Sequence, residues 1–287
     1  MWAALDSDCF RTSLVRLEQF VIVFLHIPKT AGSTFNFILE NSFGIRACHS
    51  NHTRKKVFEQ ADLDFARKVF PGLRSVSGHN LVDPLRLKAP KAYFVTFLRE
   101  PIARVLSRYV DSVLKGGNRL GFEESLRTED AMQNVQTRLI AGEANLDKAK
   151  HSLEKHDFVG LTEVFDLSLH VLARLCPHKL NLRYKRRRVT PENELRKKLQ
   201  NDTRLMELAR DYNKLDLELY TFARQELFPK LCARAGYSPS DRVPSYEHYT
   251  SEAQPMFLLF SAYNMLFYRQ LYKLRNPRRG VDESTRH

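Results

Sequence analysis

Phe20-Val-Ile-Val-Phe-Leu-His-Ile-Pro-Lys-Thr-Ala-Gly-Ser-Thr34 is the stretch that decides the fold. From Phe20 to Ile27 it is an almost unbroken apolar run, the pattern of a strand buried on both faces. Lys29, the small residues Ala31 and Gly32, and the hydroxyls of Thr30, Ser33 and Thr34 follow at once. That order describes a strand, an anion-wrapping turn and the start of a helix. Such a turn aims several backbone N–H groups at one anion, and the helix N-terminus adds a favourable field. In a nucleoside-triphosphate loop the lysine follows a glycine and directly precedes Ser or Thr. Here Lys29 precedes Thr30, and Gly32 comes three residues later. The loop suits a phosphate but departs from the kinase and GTPase pattern.

Outward from this loop, strand and helix signals alternate. Phe35, Ile38 and Leu39 recur at helical spacing after Ser33 or Thr34, and Gly44 stops that helix. The polar, basic stretch 49–56 reads as a surface loop. A helix is expected over 61–70, ended by Pro71-Gly72, then a short strand over 73–77. Ala92–Leu98 is a second strong buried strand, and Pro101 sits where a first helical turn accepts proline. Residues 122–155 are helical in pattern, 157–161 a short strand, and a helix runs from there to Leu175. The very basic 180–189 reads as a strand with its loop, and 192–235 as two or three helices. The expected fold is α/β, a mainly parallel sheet with helices on both faces. Residues 1–19 read as a lead-in, 20–235 as the main domain and 236–287 as a helical extension. Within that extension, 256–275 is an apolar helix with basic residues gathered at its end. Two readings stay open for it: packing on the domain or a partner, or resting on an anionic membrane.

The 287 residues allow a sizeable core, and 46 Lys+Arg against 33 Asp+Glu give a net charge of +13. Such a surface predicts an anionic partner, whether nucleic acid, lipid or acidic polysaccharide, and argues against a small cationic or purely hydrophobic acceptor. Cys9, Cys48, Cys176 and Cys232 are scattered without metal-ligand spacing, so small core residues are expected, with two disulfides permitted by the even count. No metal is indicated: there is no His-Glu-x-x-His and no Cys-x-x-Cys. No basic region followed by a long apolar stretch opens the chain.

The opening stretch resembles the 5′-phosphosulfate loop of sulfotransferases that use 3′-phosphoadenylyl sulfate (PAPS), most of all the heparan sulfate 2-O- and 6-O-sulfotransferases. The resemblance returns in order: Arg99-Glu-Pro-Ile-Ala-Arg-Val-Leu-Ser107 is similar to the 3′-phosphate motif, and Asn134-Val-Gln-Thr-Arg138, Phe158-Val-Gly-Leu-Thr-Glu163 and Leu215-Asp-Leu-Glu-Leu-Tyr220 are typical of the family. It covers about 20–230. It implies a sulfotransferase fold resembling that of phosphate-loop proteins. It implies PAPS as donor and PAP as product, no metal, and transfer to a carbohydrate hydroxyl, on an anionic poly- or oligosaccharide rather than a nucleic acid. Animal relatives are anchored in the Golgi by an N-terminal helix. Its absence here leads to the expectation of a cytoplasmic, bacterial-type enzyme, or a lumenal one if the chain is trimmed.

Residue by residue, the resemblance implies that the N–H groups of Ala31, Gly32, Ser33 and Thr34, with the hydroxyls of Thr30, Ser33 and Thr34, wrap the 5′-phosphate. Lys29 is expected at the bridging oxygen between phosphate and sulfate. Arg99 and Ser107 are expected at the 3′-phosphate, with Arg104 either assisting or a solvated partner of Glu100. Lys185 and Arg186 fall where the family has a basic loop closing over the nucleotide. His79 occupies the place of the catalytic histidine, and an imidazole titrating near ~6.5 suits a general base at neutral pH. The 2-O enzymes flank the glycine with two histidines; here Ser77 stands in place of the first. His26 reads as buried support, and His49 and His52 as loop residues. The competing classes are a phosphate-loop kinase and a non-catalytic polyanion-binding module.

Overall fold

The computed structural model describes residues 20–53, 55–89, 91–117, 119–187, 193–247 and 255–275. The expected lead-in, Cys9 and the end of the basic 180–189 stretch lie outside them. The apolar run forms β1 (Val21–Leu25), every residue of which is buried. It feeds α1 (Gly32–Phe43), closed by Gly44 in a positive-φ conformation. Then follow β2 (Ala47–His49), α2 (Gln60–Val69), β3 (Ser75–Gly78) and β4 (Ala92–Leu98). The polypeptide continues through α3 (Pro101–Leu114), α4 (Phe122–Thr128), α5 (Val135–Ala141), α6 (Leu146–Glu154), β5 (Phe158–Leu161) and α7 (Phe165–Leu175). Helices α8 (Glu194–Asn201), α9 (Thr203–Tyr212), α10 (Lys214–Phe222) and α11 (Phe228–Ala235) follow, α10 and α11 joined by a π-turn. Last come α12 (Pro255–Tyr263) and α13 (Arg269–Arg275), joined the same way into one rod.

The five strands pair in the order β2-β3-β1-β4-β5, all parallel. β1 is therefore central, and β3 and β4 flank it in register: Leu25 lies beside Gly78 on one side and Thr96 on the other. One core surrounds the sheet, and a second apolar cluster joins α3, α4, α8 and α9.

Two expectations need correction. The stretch read as a loop from residue 49 begins on the edge strand β2, which pairs with β3 through Ala47, Cys48 and His49. Three residues are too few to show a period of two, and Ala47 and Cys48 are buried where the rod of α12 and α13 covers that edge. Tyr268 of the rod is fully buried, beside the thiol of Cys48 and the ring of Phe70. The basic stretch 180–187 adds no strand to the sheet; it makes an isolated bridge between Tyr184 and Glu247, and the N–H groups of Asn181 and Arg187 donate to the hydroxyls of Ser42 and Thr34. Cys48, Cys176 and Cys232 are free thiols.

Burial has a consequence for acid stability. His156 is buried with Nδ1 2.8 Å from the Ser152 carbonyl, and burial pushes its pKa down to about 4. His52 is pushed to about 4 by burial, with His49 and Arg269 adding to the effect. Both imidazoles are neutral when folded and titrate near ~6.5 when unfolded, so the stability they confer is present above that value and lost as the pH falls towards 4. The melting temperature is expected to drop across this window, and His156→Gln should flatten the drop. Thermal unfolding followed by circular dichroism against pH checks it; parallel curves for parent and variant would remove His156 as the cause.

Candidate active site

Because β3, β1 and β4 are neighbours, their carboxyl ends bring three segments to one edge, where open α/β sheets bind ligands. His79 follows β3, residues 26–31 follow β1, and Arg99 follows β4. Together with α3, the turn after β5 and the 184–187 segment, they enclose a cavity of about 770 Å³. Its lining holds seven Lys or Arg against four Asp or Glu.

The turn after β1 stores strain. Lys29 (φ 70°) and Ala31 (φ 62°) are both left-handed, a conformation that costs a non-glycine residue about 1 kcal/mol or more. The surroundings hold it there. Thr30 is fully buried and its hydroxyl donates to the Ile27 carbonyl at 2.9 Å. Arg99 Nη1 donates to the Lys29 carbonyl at 3.1 Å. Gly32 is required by packing: a Cβ there would sit 1.9 Å from Cδ2 of His26. Ala31 is the N-cap of α1, and its carbonyl accepts from the N–H groups of Thr34 (2.9 Å) and Phe35 (3.1 Å). The N–H groups of Gly32 and Ser33 accordingly precede the first helical bonds. Ser33 and Thr34 line the cavity, and Thr34 Oγ1 accepts from the backbone of Arg187 at 3.2 Å. Thr30 is not in the lining, and its hydroxyl serves the turn.

Lys29 reaches across to α3, with Nζ 3.5 Å from Oδ2 of Asp111, which Lys115 also approaches at 2.7 Å. Burial lowers the pKa of Lys29, and the Asp111 carboxylate partly offsets that. Ser107, Asp111 and Lys115 recur every four residues on the face of α3 that lines the cavity.

Arg99 is held by a staple. Its N–H donates to Oε1 of Gln136 (3.0 Å), and Nε2 of Gln136 donates back to the Arg99 carbonyl (2.9 Å). Gln136 is in turn fixed by Asp216 of α10, whose carboxylate accepts from the N–H groups of Gln136 (3.0 Å) and Thr137 (2.7 Å) and from the Thr137 hydroxyl (2.8 Å). Asn134 closes the loop by accepting from the N–H groups of Leu215 and Asp216. Glu163 does the same one strand over, accepting from the Glu100 N–H and the Tyr220 hydroxyl, both at 2.8 Å. Three motifs that the sequence offers separately are thus one brace around the end of β4. Burial lowers the pKa of Arg99, and Glu163 opposes that shift. Arg104 fits neither expectation: it is fully buried, its guanidinium within 3.4 Å of the Ala131 carbonyl, and burial pushes its pKa down to about 10 against the favourable charge of Asp216.

His79 Nδ1 lies 2.5 Å from the backbone carbonyl of His26. A carbonyl only accepts, so Nδ1 carries the proton of the neutral ring and Nε2 the lone pair. Asn51 Oδ1 accepts from the His79 N–H at 2.9 Å, and the His26 ring packs 4.0 Å away, centroid to centroid. The support that His26 gives thus includes its backbone as well as its ring.

Of the basic pair expected to close the site, Arg186 lines the cavity and pairs with Glu247 at 2.9 Å, whereas Lys185 is exposed and outside the lining. Buried Tyr184, whose hydroxyl donates to Asp166, anchors this segment beside the cavity. Arg187 also lines the cavity, its guanidinium over the rings of Phe37 and Phe257. Sequence reasoning missed Arg187, Arg108, Asp111, Lys115 and Arg196, all in the lining. The four-residue spacing on α3 was a usable signal for Asp111 and Lys115; nothing local marks Arg196.

A strained loop, a braced arginine and an imidazole thus share one edge of a parallel α/β sheet, around a cavity rich in basic side chains. A model described as the sulfotransferase family matches residues 12–223, and the chain belongs to that family: it is a sulfo-group-transferring enzyme. Comparison with curated proteins found no match.

Proposed function

We propose that the enzyme moves the sulfo group of PAPS to a hydroxyl of a carbohydrate, an anionic poly- or oligosaccharide, with His79 as general base. The observation that carries this is the placement of two cationic positions, Lys29 with the Gly32–Ser33 backbone and Arg99 with Ser107, at the ends of adjacent strands beside His79. A cavity of about 770 Å³ falls within the ~300–1,000 Å³ of ligand sites, and its basic lining suits a donor with anions at both ends. PAPS would supply the sulfo group and a phosphate leaving group. Gly32 and Ser33 N–H groups hold the 5′ end, and Arg99 with Ser107 the 3′-phosphate. Lys29 meets the charge that grows on the bridging oxygen, and Nε2 of His79 accepts the acceptor's proton. The net charge of +13 supports an anionic acceptor.

Calorimetry with PAP at near-physiological ionic strength tests the donor. PAP should bind and ATP with Mg²⁺ should bind more weakly; heparin binding without PAP binding would leave a polyanion-binding module. Arg99→Ala is expected to weaken PAP by roughly 10- to 100-fold, the scale of a charge-assisted hydrogen bond. Unchanged affinity would overturn the second pocket. A sulfate-transfer screen over glycans, read by mass spectrometry, tests the acceptor class.

A further inference from the structure

A helix on a protein surface ordinarily turns its apolar stripe inward. The rod of α12 and α13 is apolar on both sides, with Phe260, Tyr268 and Tyr272 buried in the core. Hydrogen bonds pin that inward side: the Tyr263 hydroxyl donates to the Val69 carbonyl, Tyr272 donates to Asp62 at 2.7 Å, and Asn264 is buried. Outward it presents Leu258, Leu259, Met265, Leu266, Phe267 and Leu274, each 52–77% exposed. From 258 to 274 this face runs roughly 24 Å at 1.5 Å per residue. Contiguous apolar exposure of that extent marks a contact surface.

Charge selects the occupant. Residues 253–281 contain Arg269, Lys273, Arg275, Arg278 and Arg279 and no Asp or Glu. Arg269 is exposed at the C-terminal half of the same rod. Arg275 packs over Phe65 and donates to the Ala61 carbonyl, so Arg269 is the cation shown beside the apolar face. An apolar face in a basic, acid-free stretch of sequence matches the interface of an anionic bilayer, where leucines enter the acyl boundary and arginines meet headgroups. A second copy would instead bring its own +13 and the same five cations. Among the described residues no helix is long and apolar enough to cross a membrane, so the rod would lie along the surface.

We propose that the outward face of residues 255–275 docks the enzyme on anionic phospholipid. Phe257, at the start of the rod, packs under Arg187 of the cavity lining, so the docked face adjoins the cavity rim. This does not depend on the donor or acceptor proposed above.

The test is co-sedimentation of the full chain with phosphatidylcholine vesicles and with vesicles also containing phosphatidylglycerol. The parent should pellet with the anionic vesicles, weakly with the neutral ones, and less as salt rises. Leu259→Gln/Leu266→Gln keeps the net charge and alters only exposed positions, so its melting temperature should match the parent's. Its partition should fall by about tenfold or more, given the transfer free energy of two leucines. A parent that stays in the supernatant overturns the proposal, as does a double variant that pellets equally, which would leave charge alone. If light scattering shows a parent dimer that the double substitution splits, without vesicle binding, the face belongs to a second copy and the proposal fails.

Discussion

Lys29→Ala is expected to lower kcat by about 10²- to 10³-fold, the cost of removing one preorganised donor from developing charge. Its effect on PAPS affinity should be much smaller, because in the intact donor the bridging oxygen has not yet taken up the charge that develops as the bond to sulfur breaks. The substitution should not disturb the fold. Ala31, next but one along the chain, already carries a left-handed backbone with the same side chain, and the turn is held by Thr30, Arg99 and His26. Asp111 keeps Lys115 at 2.7 Å and is not left as an orphaned charge. Lys29→Arg is not expected to restore the rate, since a forked guanidinium is bulkier than an ammonium in the space beside Asp111. Single-turnover kinetics over a range of PAPS concentrations separate the two parameters. A kcat within a few-fold of the parent, or a loss confined to affinity, would show that Lys29 only binds.

The sheet was legible because its inner strands announce themselves: β1 and β4 are apolar along nearly their whole length, and β1 is buried throughout. Edge strand β2 was not, because three residues carry no period and their burial depends on a rod some 200 residues away in sequence. The same limit applies at the site. Lys29, Gly32, Arg99 and His79 follow strand ends, so local sequence reveals them. Arg196 reaches the cavity only through the packing of α8, and Arg186 and Arg187 rather than Lys185 line it because tertiary contacts of Tyr184 with Asp166 and of the Arg187 N–H with Thr34 place that segment, which charge alone does not reveal. Arg104 illustrates the converse: an arginine three residues before Ser107 looks functional, yet the fold buries it as a support near Ala131 and Asp216.

His79→Ala is the second large effect, an expected loss of about 10²- to 10⁴-fold in kcat, the range for a positioned general base. The geometry makes the loss specific. The His26 carbonyl fixes the proton on Nδ1, and Asn51 fixes the backbone, so the lone pair on Nε2 is held in place rather than found by rotation. Alanine keeps the backbone hydrogen bond to Asn51 and leaves the Gly78 contact with Ser50 untouched, so the strand end should stay folded. PAP affinity should be close to the parent's, because His79 serves the acceptor's proton and not the donor's phosphates. The pH profile carries the sharper signature. Protonating a base imidazole removes its lone pair, so the parent should lose activity on acidification, and that limb should vanish in His79→Ala while the residual rate tracks hydroxide. A weak amine or imidazole in solution should recover part of the activity by filling the space. A variant with near-parental kcat, or one that keeps the acidic limb, would remove His79 from proton transfer and turn attention to His26, whose ring lies 4.0 Å away on the same cavity wall.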